Sequence, residues 1–374
     1  MREIRGLTWD HPRGYASLAA AAQRAHGELE ITWDTQSLEG FESTPIPELA
    51  RTYDLIVLDH PHLGEAVAAE CLVPVAELLG AEAVDAIAAR TVGAAAASYV
   101  YGGSAYALPL DAATQVQALH PALVGDRPAP QTWDEVGALA GDLPVALSLA
   151  GPHALLTFFS ICAGLGTGPL VCGADELVAA ELGLAALEVL QRLAAVSVPS
   201  LRGANPIQLL DAMARTRAAA CCPLVYGYVN YATAGDGREA LRFADAPVLG
   251  STLGGTGIAI TRRCPLEPAL AGHLAWLLDP ATQTGFIGVN EGQPSARESW
   301  TDAGLDGDSG GFYSGTLRTT EAAWVRPRFD GFIEFQGRGS ELLRAGLAQR
   351  APARTTLERL DALWRASLPT GAVL

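Results

Sequence analysis

The sequence predicts an α/β protein of two domains, and three observations carry that expectation. Its 374 residues exceed what one ordinary core covers, at a prior of roughly 150 residues per domain. Strand-like runs alternate with helix-like runs through the N-terminal quarter, the grammar of right-handed β–α–β units. Hydrophobic residues make up 49% and charged residues 18%, a balance too apolar for disorder and interrupted by no low-complexity linker.

Taken in chain order, REIRGLTW reads as a first strand and YASLAAAAQRAHG as a helix that stops at Gly27. LEITWDTQ is a second strand and ESTPIPELAR a short, proline-marked helix. YDLIVLDH gives the strongest strand signal, the near-continuous apolar run of a parallel strand covered on both faces. YVYGGSAYALPLDA predicts a hairpin turning at Gly102-Gly103 whose second arm runs on into Pro109 and Asp111. Beyond residue 115, TWDEVGALAG opens a helix with Thr132 as N-cap and Glu135 completing a capping box. A strand over PVALSLA and a helix from His153 to about Ala163 follow. ELVAAELGLAALEVLQRLAAV and NPIQLLDAMAR predict two more helices, the second leading into the strand AACCPLVYGYV. GGTGIAITR is a strand opened by glycines, EPALAGHLAWLLDPATQTGFIG a helix of amphipathic period, and TTLERLDALWRASL a last helix capped at Thr355 or Thr356.

Composition removes several function classes. All 25 basic residues are arginine. Without a lysine the chain supports neither Schiff-base or pyridoxal-phosphate chemistry nor a Walker A loop. A formal charge of −16 with no arginine-rich run argues against nucleic acid and anionic membrane as partners. No apolar run is long enough for membrane insertion. No basic, apolar leader precedes Arg2, so the chain as it stands is expected to be cytoplasmic, and periplasmic or extracellular if Met1 replaces a removed leader. The six cysteines form no CxxC pair, and Cys221-Cys222 lies in an apolar run; free, buried thiols are expected.

The tripeptide Asp-His-Pro occurs twice, each time after a predicted strand. The first copy places Asp10, His11, Arg13 and Tyr15 just after Trp9, and the second gathers Asp59, His60 and His62. As ligand-binding residues, carboxylates accept hydroxyl hydrogen bonds, imidazoles donate or accept by tautomer, and Arg13 suits a carboxylate clamp. As structural residues, both aspartates cap the helices that follow, with proline just inside the helix start. A histidine beside a carboxylate also titrates near neutrality, the requirement of general acid–base catalysis. No metal and no cofactor are expected. Later in the chain Tyr226, Tyr228 and Asn230 alternate along GYVNY, which places two rings on one strand face. Gly255 in GGTGIAI offers backbone N–H groups to a ligand or serves as a hinge.

The order of these elements, with the phrases YDLIVLD, LVPVAELLG, YALPLDA, TWDEVGALA, GYVNY, GGTGIAI, WLLDPATQTGFIG and EGQPSARESW, resembles the family 1 solute-binding proteins of carbohydrate ABC importers, the maltose-binding-like group. The likeness spans nearly the whole chain. It implies two discontinuous Rossmann-like lobes of the periplasmic-binding-protein type II arrangement, with a hinge and an interlobe cleft. On this basis 1–110 plus 258–311 form the N-terminal lobe and 111–257 plus 312–374 the C-terminal lobe, with Asp111 at a crossing and Gln293, Ser295 and Arg297 near the cleft rim. Ligand contacts are then expected from Trp9, Asp10, His11, Arg13, Tyr15, Asp59, His60 and Asp111, with Tyr226, Tyr228, Gly255, Gln293 and Arg297. The ligand implied is a small polar molecule, a carbohydrate or polyol first and a hydroxylated carboxylate second, bound without turnover by a monomer that partners an ABC transporter permease. An intracellular enzyme or sensor that uses the Asp-His pairs is the alternative.

Overall fold

The computed structural model of the chain describes residues 3–25 and 29–369; the expected stop at Gly27 lies outside them. The strands are β1 (Glu3–Trp9), β2 (Glu30–Gln36), β3 (Leu55–Leu58), β4 (Leu72–Val73), β5 (Val100–Tyr101), β6 (Ser104–Ala105), β7 (Ala107–Leu119), β8 (Cys221–Tyr226), β9 (Arg242–Ala244) and β10 (Leu253–Thr261). The chain groups into two compact units. Unit 1 holds Met1–Ala113, Gly254–Asp308 and Arg328–Asp330, and unit 2 holds Thr114–Leu253, Ser309–Pro327 and Gly331–Leu374. The chain therefore changes unit inside β7, at the start of β10 and after Asp308, with a short return at Arg328–Asp330.

In unit 1 the sheet runs β2-β1-β3-β10, with β4 on the far part of β10. β1 pairs with β2 and β3 in parallel, whereas β10 is antiparallel to β3. Residues of β3 alternate between two apolar clusters. Leu55 and Val57 join Ile4, Ile258 and Ile260 on one face, and Ile56 and Leu58 join Tyr99, Ala107 and Ala259 on the other. The unbroken run LIVL thus follows from burial on both faces. Gly6 is set opposite Trp33 in the β1–β2 register, and a Cβ there would lie 2.4 Å from the indole. The β5–β6 hairpin turns at Gly102 and Gly103, with φ of 56° and 84°, the left-handed pair that a two-residue turn demands.

In unit 2 the second half of β7 pairs antiparallel with β8 and β9. The helices His153–Leu165, Ala180–Val196, Phe332–Gln349 and Ala353–Ser367 pack against one another in the same unit. The Pro206–Thr216 helix starts on a full capping box, Asn205 with Gln208. At Thr132 the box is only half formed, because Glu135 bonds the Gln131 N–H instead of its cap's own N–H.

Four expectations change. PVALSLA forms no strand: it makes one bridge, Val145 to Cys221, and its polar groups are met one by one, Pro144 O by Ala220 N–H and Val145 O by Val198 N–H. The expected helix over 267–288 breaks at Asp279, whose carboxylate caps Ala281 and Thr282 N–H while Pro280 lacks a donor. β8 stops at Tyr226, so Tyr228 and Asn230 do not continue its alternation; Val229–Tyr231 is a 3₁₀ turn. The last helix begins at Ala353 with Pro352 at its N-cap, and Thr356 instead donates its hydroxyl to Pro352 O. All six cysteines are free, and five are buried. Burial pushes the Cys172 and Cys222 thiols up to about 12. No helix among the described residues is long and apolar enough to cross a membrane.

Candidate functional site

The two Asp-His-Pro copies stand side by side in unit 1. Gly6 faces Leu55 and Leu7 faces Ile56 in the parallel β1–β3 register, an offset of 49 residues that Arg5 and Asp54 share. Asp10 and Asp59, and His11 and His60, are separated by the same offset. Both tripeptides thus leave the carboxyl ends of neighbouring parallel strands at the same level, where strands lie about 4.8 Å apart.

Their surroundings differ. Asp10 is exposed, and among the described residues nothing holds its carboxylate. His11 is buried, and its Nδ1 accepts from Arg13 N–H at 3.1 Å, which puts the ring proton on Nε2. Asp59 takes the capping role: its Oδ1 accepts from His60 N–H at 2.9 Å and opens the 3₁₀ turn His60–His62. His60, fully buried, sets Nδ1 3.1 Å from the same oxygen and its edge toward Tyr99. His62 turns away to Glu65 at 2.7 Å. Trp9 is core, packed on Phe41 with ring centroids 5.3 Å apart. Gly14 lets the helix Pro12–Ala25 settle on that indole, since a Cβ would come within 2.5 Å of it. Tyr15 is half-buried in the first turn of this helix.

Arg13 and Asp111 form a bidentate pair, Nε to Oδ2 at 2.6 Å and Nη2 to Oδ1 at 2.7 Å, each side chain 4% exposed. Burial pushes the Asp111 carboxyl above its ordinary value, and the Arg13 guanidinium and the Thr256 N–H pull it back, with Asp59 adding to the upward push. The edge of Arg13 that would clamp a ligand carboxylate is therefore already engaged.

The segment carrying Asp111 is held residue by residue. Ser295 donates to Pro109 O, Gln283 to Leu110 O and Gln293 to Ala112 O. Gly255, at φ 92°, approaches so closely that a Cβ would lie 2.5 Å from Asp111 O, which only glycine permits. Gln293 is thus a buried strut. Arg297 is exposed, and its backbone N–H bonds Arg90 O. Gln283 escaped the sequence reading although it also accepts from Ser295 and Ala296 N–H. Its only signal was an amide inside the apolar run WLLDPATQTGFIG.

In unit 2, Tyr226 sets its ring edgewise against His153, centroids 5.8 Å apart, and its hydroxyl 3.3 Å from Thr252 Oγ1. Tyr228 is buried against Tyr231.

No protein-family model and no curated protein matches the sequence. Solved structures do. T. maritima MalE3 with maltose bound superposes with a TM-score of 0.81 at 16% identity, covering 98% of this chain and 100% of that one. An ABC transporter solute-binding protein from Agrobacterium radiobacter in complex with ribitol gives 0.80 at 18% identity over 98% of both chains. Another from Agrobacterium vitis, with bound D-mannitol, gives 0.74 at 16% identity over 97% of both. The chain has the α/β fold of these solute-binding proteins.

Proposed function

We propose that the chain is a solute-binding protein that holds an uncharged polyhydroxyl ligand, a carbohydrate or polyol, without turning it over, and delivers it to an ABC-importer permease. The observation that carries this reading is the pair of Asp-His-Pro turns, in register at the carboxyl ends of two adjacent parallel strands, where open α/β sheets bind ligands. Carboxylates accept hydroxyl hydrogen bonds, and Asp10 keeps its acceptors uncommitted. The solved proteins of this fold support the ligand class through the maltose, ribitol and mannitol they carry. A hydroxylated carboxylate fits less well, because Asp111 occupies the fork of Arg13. Work for an importer also requires export, so the reading predicts an in-frame apolar leader encoded upstream of Met1.

A thermal-shift panel tests the function. At a hundred-fold excess over Kd, a neutral sugar or polyol stabilises by about 2.7 kcal/mol, which raises Tm by about 3 °C in a chain of this size. No shift with any neutral polyol, together with a shift from metal ions or thioesters, contradicts the reading.

A further inference from the structure

Unit 2 contains a cavity of about 640 Å3 that the proposed function does not use, a size suited to a small molecule. Leu149, Ala194, Leu347 and Ala348 give it apolar walls, and Arg202, Arg344 and Arg350 line it with no acidic residue among the lining. In a chain of net charge −16 such a concentration of cations calls for a physical cause.

Helix-end capping accounts for part of it. Arg202 spends Nε on Ser197 Oγ and Nη2 on Ala194 O and Ser197 O, beside the end of the Ala180–Val196 helix. Arg344 spends Nη1 on Leu149 O and Gly151 O. These bonds fix two guanidinium groups in place and leave Arg202 Nη1 and Arg344 Nε and Nη2 over. Arg350, the C-cap of the Phe332–Gln349 helix, has no side-chain partner among the described residues. The charge balance favours a single anion. Two helix C-termini contribute roughly half a negative charge each, and Glu341 interacts with Arg344, so three cations are offset by about two units. Partial burial pushes the Arg344 guanidinium below its usual value, with Glu341 acting against that shift.

We propose that this pocket binds an amphipathic monoanion, its carboxylate on the exposed guanidinium edges and its apolar body against Leu149, Ala194 and Leu347. Planar guanidinium forks match carboxylate geometry, and Gln191, the one neutral polar side chain of the lining, already gives its amide N–H to Ala351 O.

Hexanoate tests this, with hexan-1-ol as the neutral probe at constant ionic strength, followed through the amide resonances of Leu347, Ala348 and Arg350. Hexanoate is expected to bind with Kd of about 1 mM, as its few heavy atoms allow, and hexan-1-ol roughly ten-fold more weakly. Arg350→Asn keeps a residue that tolerates the φ of 52° and is expected to weaken hexanoate about three-fold, and Arg202→Gln added to it about ten-fold. Equal binding of the two probes overturns the proposal. So does unchanged hexanoate affinity in Arg350→Asn and the double variant, or the absence of any amide shift at roughly twenty times the expected Kd.

Discussion

Asp10 and Asp59 leave their strands at the same level, yet alanine at each removes a different quantity. Asp59→Ala deletes a cap and is expected to lower stability by about 1 kcal/mol in urea unfolding. Asp10→Ala touches no internal partner, so its unfolding midpoint should match the wild type while polyol affinity falls roughly ten- to a hundred-fold. Asp111→Asn leaves the buried Arg13 without its counter-charge and should cost about 3–5 kcal/mol. His273 supplies a pH signature: burial lowers its pKa from 6.5 to about 4. The folded protein keeps this ring neutral while the unfolded chain protonates it below about pH 6.5, so its contribution is complete at neutral pH and is lost as pH falls toward 4. That loss amounts to roughly 2–3 kcal/mol, and His273→Leu should flatten this part of the stability profile measured by urea unfolding between pH 7 and 4.5. The Asp-His-Pro repeat was legible because the sequence itself repeats. The Arg13–Asp111 pair was not legible as a pair, since 98 residues separate two ions that only the folded strand ends bring together.

Elements were legible where one physical cause sets the pattern. β3 declares itself because burial on both faces removes every polar residue from LIVL, and the β5–β6 turn because only glycine accepts its dihedrals cheaply. PVALSLA has the composition of a strand, but its backbone finds partners singly at Cys221, Ala220 and Val198, and no ladder forms. β8 ends at Tyr226, and the next residue, Gly227, passes the ring of Phe312, where a Cβ would sit 2.9 Å away. Close approach also explains Gly64, in the helix Leu63–Ala68, whose Cβ would fall 2.0 Å from Arg328 O. Backbone atoms there cannot rotate aside, so Gly64→Ala is expected to destabilise by about 1–3 kcal/mol in chemical unfolding, whereas Gly137→Ala, inside the helix Trp133–Asp142 where a Cβ meets nothing, is expected to stabilise by about 0.5–1 kcal/mol.

At the scale of the whole molecule, length and β–α–β alternation made a multi-unit α/β fold readable, and the order of weak phrases made its relatives readable. The short return of Arg328–Asp330 to unit 1 left no sequence signal, because backbone contact at Gly64 and the bonds from Arg328 to Ala97 O and Ser98 O hold it. The ligand proposed is named only as a class, since a polyol is recognised by the spacing of acceptors drawn from distant segments and not by any local motif. The account's central claim is that the paired strand ends of unit 1 bind a neutral polyhydroxyl ligand. Calorimetric titration of the wild type, Asp10→Ala and Asp59→Ala with maltose, ribitol and D-mannitol addresses it directly. One of these ligands should bind the wild type with a stoichiometry of about one and bind Asp10→Ala at least roughly ten-fold more weakly, at an unchanged unfolding midpoint; equal affinity in all three proteins, or no binding of any neutral polyol to the wild type, would contradict it.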